Sequence, residues 1–160
     1  AYVLTRAARY GIESAVVDKK EYKDRRLREE KILSVMREKD IEFIVFAGFM
    51  TILSADFVSA YEGRIINVHP ALIPSFCGPG YYGLKVHEQV LARGVKVTGA
   101  TVHYVTEICD GGPILLQKAV EVREGDTPEV LQKRVMREAE WVILPEAVEL
   151  VCKKLQGIEG

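Results

Sequence analysis

The chain has 160 residues, 48% of them apolar and 28% charged, which suits one soluble domain and excludes a disordered or fibrous polymer. The 22 Lys and Arg against 23 Asp and Glu leave a formal charge of −1, which argues against broad electrostatic binding of nucleic acid. No apolar run approaches the ~20 residues that span a bilayer, and no basic-then-apolar signal peptide is evident, so no membrane partner is expected.

Residues 2–10 read as the last turns of a helix, stopped by Gly11. Ile12 to Val17 follows as a short strand. Lys19 to Lys31 carries seven basic and four acidic residues. Leu27, Ile32, Val35 and Met36 recur there at near-helical spacing, which predicts an amphipathic helix over 24–39. Phe43 to Ala47 is an unbroken apolar run, as expected of a strand buried on both faces. Gly48 ends it, and Ser54 can cap a helix over 55–60. Arg64 to Val68 is the next strand, closing on His69-Pro70 and a Pro- and Gly-rich loop to Gly83. Leu84 to Arg93 reads as a helix ended by Gly94, and Lys96 to Val105 as a strand. Cys109 to Pro113 is a turn, and Ile114 to Val122 another strand. Asp126 or Thr127 caps a long final helix, with Pro128 in its first turn and Pro145 expected to kink or divide it. Strands alternating with helices predict an α/β fold with a mostly parallel sheet, whose ligands bind beyond the carboxyl ends of the strands.

Three groups of residues carry the candidate chemistry. In Asn67-Val68-His69-Pro70, alternation puts Asn67 and His69 on one face of a strand, and Pro70 holds His69 extended. An amide can donate to a carbonyl oxygen, and an imidazole can move a proton near neutral pH. The competing reading is a buried, satisfied histidine at a strand end. In Asp110-Gly111-Gly112-Pro113 the glycines permit a tight turn and close approach to a ligand, while Asp110 taken alone reads first as an Asx-turn residue. If Asp110 meets His69, its carboxylate is expected to raise the histidine pKa and favour imidazolium. Thr101 and His103 share one strand face, where a structural role is the default. His69, His87 and His103 lack metal-ligand spacing, so no metal is predicted. Cys77, Cys109 and Cys152 have no C-x-x-C spacing and read as small buried apolar residues in a reducing cytoplasm. Gly48 to Leu53 could line an apolar pocket for a flat ring or simply fill the core.

Taken together, AGFMTILS (47–54), NVHPALIPSF (67–76), VTGATVHYV (97–105) and DGGPILLQ (110–117) are specific. In that order they resemble the phosphoribosylglycinamide formyltransferase family, folate-dependent enzymes of purine synthesis, over essentially the whole chain. The resemblance implies one formyltransferase domain over 1–160, with a three-layer Rossmann-like fold. It implies transfer of a formyl group from the cosubstrate 10-formyltetrahydrofolate to the amine of glycinamide ribonucleotide, without a metal. Asn67, His69 and Asp110 match the catalytic trio. Met50, Thr51, Ile52 and Leu53 match the folate-binding segment, and Val105, Thr106, Glu107, Ile108 and Asp110 the loop that recognises the pterin. Arg25 matches a basic residue near the folate's glutamate tail, and Glu140 a contact to the ribonucleotide. Thr101 and His103 match polar residues that support Asp110. Ile73-Pro74 is a candidate cis peptide, because that loop is sharply turned in the family.

Two departures stand out. The loop Cys77 to Gly83 is longer than in many members. The opening AYVLTRAARYGI resembles a later helix and strand, so the family's first strand and phosphate-binding turn are expected to be missing. The expected partners are the two small-molecule substrates, in the cytoplasm, with no nucleic acid; a homodimer is left open. The alternatives are a formyltetrahydrofolate hydrolase, a methionyl-tRNA formyltransferase, or a truncated folate-binding form without catalysis. The near-neutral charge and the absence of a basic C-terminal region weigh against tRNA, and Pro70 stands where the hydrolases place a second histidine.

Overall fold

The computed structural model describes residues 2–48 and 53–158, which fall into two units, Ala1–Ile41 and Glu42–Gly160. In the N-terminal unit, α1 spans Tyr2–Arg9. It ends at Gly11 (φ 65°), where the Ile12 N–H donates back to the Ala7 carbonyl at 2.9 Å, as the predicted stop requires. Helix α2 spans Arg25–Glu38, and the Asp24 carboxylate caps it by accepting from the Arg26 and Leu27 N–H groups. The strand expected over 12–17 does not form. Extended chain becomes a strand only by laddering with a neighbour, and here Ile12 and Val16 are 62% and 65% exposed with no ladder among the described residues.

Among the described residues, the second unit holds a four-stranded sheet in the order β1 (Ile44–Ala47), β2 (Ile65–His69), β3 (Val97–Tyr104), β4 (Ile114–Glu121). Strand β1 pairs parallel with β2, whereas β2–β3 and β3–β4 are antiparallel. The sheet is therefore mixed, not mostly parallel. Residues 105–113 are too few for the crossover of about a dozen residues that a parallel return needs, so β3 and β4 form a hairpin. Between β2 and β3, a loop over 70–83 precedes α4 (Leu84–Arg93), and the two together return the chain antiparallel. Strand β1 is also less buried than its apolar run suggests: Ile44 is buried but Val45 is 38% exposed. It lies at the edge of the described sheet.

Helix α3 (Ala55–Ala60) is capped by Ser54, which accepts from the Phe57 N–H. Helix α4 ends at Gly94, left-handed at φ 74°. Helix α5 (Pro128–Val135) starts on the Thr127 cap with Pro128 in its first turn. A π-helical turn over Met136–Glu140 follows, then α6 (Trp141–Leu155). Pro145 sits inside α6, which continues past it; the break in α-helical regularity lies upstream, in the π turn. Leu131, Val135, Ala139, Ile143, Ala147 and Val151, four residues apart, form one apolar stripe along this run. It packs with Ile66 and Val68 of β2, Ala100 and Val102 of β3, and Val90 of α4. Each Val, Leu or Ile side chain among these contributes about 1.5–3 kcal/mol by leaving water. No described helix is long and apolar enough to cross a membrane.

Candidate active site

The antiparallel register of β2 and β3 sets Asn67 opposite His103 and His69 opposite Thr101. Directly opposed residues share a sheet face, so four polar residues from two distant motifs meet at one place. Strand β3 is irregular between Val102 and His103, a bulge of the kind that re-aims side chains beside active sites.

Asp110 arrives from the β3–β4 turn, with its backbone left-handed at φ 52°, which aspartate tolerates. Gly112 lets the turn close: a Cβ there would lie 1.8 Å from the Tyr104 carbonyl oxygen. One carboxylate oxygen of Asp110 accepts from the Gly78 N–H (2.8 Å) and lies 3.6 Å from His69 Nδ1. The other lies 3.6 Å from His103 Nε2. Backbone carbonyls orient both imidazoles. His69 Nε2 donates to the Phe76 carbonyl (2.8 Å), so in the neutral ring Nδ1 carries the lone pair, and His103 Nδ1 donates to the Tyr104 carbonyl (2.9 Å). Asn67 Nδ2 lies 3.4 Å from His103 Nε2 and keeps a second N–H.

Burial pushes Asp110 up, but the His103 contact, the Gly78 N–H and the charges of both histidines outweigh it and hold the carboxyl below the usual range. His69 moves opposite to expectation. Burial lowers its pKa and prevails over the Phe76 hydrogen bond and the Asp110 charge, so the neutral ring is favoured. The resting site thus pairs a carboxylate with an uncharged imidazole that can take a proton at Nδ1, facing that carboxylate.

These groups line a cavity of about 430 Å³. Asn67, His69, His103 and Asp110 are joined there by Leu53 and by Val105, Thr106, Glu107 and Ile108. Gly48 and the loop Gly78 to Gly83 also contribute, as does Glu140, which the π turn carries and whose carboxyl burial pushes up. Met50, Thr51 and Ile52 lie outside the described residues. Arg25 opens α2 in the N-terminal unit, 3.4 Å from Glu29. Thr101 does not reach Asp110. Its hydroxyl donates to the Ala71 carbonyl (2.7 Å) and accepts from the Ile73 N–H and from Gln117 Nε2 (3.0 Å each). It therefore fastens the loop after His69, where Ile73-Pro74 is cis as expected. The three cysteines are free but partly exposed, not buried, because each lies near a loop or on an outer helix turn. Among the described residues, no cluster of three His, Cys, Asp or Glu is placed to hold a metal ion.

Four contributors escaped the sequence reading. The Gly78 N–H and the Phe76 carbonyl are backbone groups and leave no compositional trace. Gln117 looked like an ordinary strand residue. His87 did carry a signal: it stands beside Val86 on the apolar side of α4, with Val90 one turn on.

The formyl transferase family matches residues 1–148. The trifunctional purine biosynthetic protein adenosine-3 of Gallus gallus is 46% identical over 149 residues, 93% of this chain and 14% of that protein. The phosphoribosylglycinamide formyltransferase of Bacillus subtilis is 39% identical over 161 residues, the whole of this chain and 77% of that protein. The crystal structure of glycinamide ribonucleotide transformylase 1 from Symbiobacterium toebii superposes with a TM-score of 0.87 at 37% identity, covering 96% of this chain and 70% of that one. The α/β, Rossmann-like architecture expected from the motifs is thereby borne out.

Proposed function

The chain belongs to the formyl transferase family, and from that premise we propose that its protein transfers a formyl group from 10-formyltetrahydrofolate to the amine of glycinamide ribonucleotide. The observation that carries this reading is Asp110 set 3.6 Å from both His69 and His103, with Asn67 anchored to His103, in one cavity. In the reaction the acceptor nitrogen attacks the formyl carbon, the carbonyl becomes a tetrahedral oxyanion, and the C–N bond to the folate nitrogen then breaks. The free N–H of Asn67 donates to the oxyanion, a contribution of about 2.7–4 kcal/mol for such a donor. The single proton that the attacking amine sheds passes by way of Asp110 to His69 Nδ1, where the ionised Asp110 stabilises the resulting imidazolium. The same proton is then returned to the departing folate nitrogen, so His69 and Asp110 end as they began and no net proton is gained or lost.

On this reading Leu53 and residues 105–110 hold the pterin, with Met50, Thr51 and Ile52 in the same segment. Arg25 meets the glutamate tail and Glu140 the ribonucleotide. The protein works in the cytoplasm on these two small molecules, without metal, membrane or nucleic acid, as a monomer or homodimer. Offering the full-length protein glycinamide ribonucleotide, charged initiator tRNA or water as the acceptor tests the assignment. Turnover is expected with the ribonucleotide, and a preference for either other acceptor refutes it. Asp110→Asn should lower kcat about 10²–10⁴-fold while folate binding stays measurable.

A further inference from the structure

Helix α4 places His87 in the wall of the active-site cavity with its side chain fully buried. Neither ring nitrogen meets a hydrogen-bond partner among the described residues. A buried polar group is normally paired, and an unpaired one is a standing cost to the fold. Such a group in a cavity wall serves a ligand more readily than it serves packing.

The surroundings say which ligand. Helix α4 packs on α5, and Gln132, Met136 and Glu140, from α5 and the π turn, line the same cavity. His87 therefore belongs to a helical wall distinct from the 105–110 loop assigned to the pterin. That wall offers no cationic side chain to a phosphate. Burial holds His87 at about 4, Gln132 is an amide, Met136 a thioether, and Glu140 a carboxyl group that burial pushes up. A neutral imidazole offers one N–H and one lone pair, the complement of a secondary amide or a hydroxyl and a poor match for a phosphate.

We propose that His87 is a further binding residue for the formyl acceptor, hydrogen-bonding an uncharged amide or hydroxyl group of that substrate on the helical wall of the cavity. The inference rests on the formyl-transfer reading above. Its direct consequence is a trade: the unpaired nitrogens weaken the free protein and strengthen the substrate complex.

The test compares the full-length wild type with His87→Leu and His87→Asn in steady-state kinetics and thermal melting. His87→Leu should raise the KM for glycinamide ribonucleotide about ten-fold, the loss of one neutral hydrogen bond. The KM for 10-formyltetrahydrofolate should stay within about two-fold, and His87→Asn should recover part of the loss. The Tm of free His87→Leu should be equal to or above that of the wild type. An unchanged acceptor KM in both variants, or equal effects on both substrates, overturns the assignment of His87 while leaving formyl transfer intact. If His87→Leu does not fold, the Asn variant decides by the same KM comparison. Absence of transfer in the wild type itself overturns the functional reading, and this inference with it.

Discussion

Replacing His87 with leucine is expected to flatten the protein's loss of stability between about pH 7 and pH 4. The ring is fully buried, and desolvation lowers its pKa from 6.5 to about 4, with the nearby His69 charge adding to the effect. The folded value lies below the unfolded one. Above pH 6.5 both states are neutral and the contribution is complete. As pH falls from 6.5 towards 4, the unfolded chain binds the proton that the folded chain refuses, and stability is lost over that window. At about 1.36 kcal/mol per pKa unit, the gap corresponds to roughly 3 kcal/mol. That is a large share of the ~5–15 kcal/mol that holds a domain together. Urea unfolding of wild type and His87→Leu at about pH 7, 6, 5 and 4 measures it directly, provided m stays constant. His69 is also lowered by burial and contributes to the acid loss of both proteins, so the difference between the two curves isolates His87. Parallel curves would refute the reasoning, since they would mean that His87 takes its proton equally in both states.

Two substitutions probe how the trio is held. Thr101→Val keeps the branched shape but removes the hydroxyl that ties Ala71, Ile73 and Gln117 together; stability should fall by about 1–3 kcal/mol in urea. Its kcat should drop more than either KM rises, because this loop leads to the Phe76 carbonyl that orients His69, and an unchanged kcat would count against that link. Gly112→Ala puts a methyl 1.8 Å from the Tyr104 carbonyl, so the turn must shift, at a cost of about 1–3 kcal/mol. Asp110 should move with it, and near-normal turnover in this variant would show that the turn is less constrained than its geometry indicates.

Local chemistry was readable in the chain where one short segment decides it. The caps at Asp24, Ser54 and Thr127, the stops at Gly11 and Gly94, and the shared face of Asn67 and His69 each depend on residues within a turn or a strand. The strand expected at 12–17 failed for the opposite reason, since a ladder needs a partner that the segment itself does not specify. The mostly parallel sheet expected from alternating strands and helices failed at β2–β3 and again at the β3–β4 hairpin, where the shortness of residues 105–113 was a usable warning.

What the amino-acid order determined by itself is the set of reacting groups: an amide and an imidazole two residues apart on one strand, and a carboxylate in a glycine-rich turn. Only the tertiary structure decided their states. Antiparallel pairing of β2 and β3 put His103 against Asn67 and moved Thr101 from Asp110 to the Ala71–Ile73 loop. Burial then reversed the expected charge of His69 and left His87 without a partner in the cavity wall. The physical reason is that hydrogen-bond pairing along a chain is short-ranged and written in adjacent residues. Desolvation instead depends on everything packed around a group, most of it distant in sequence.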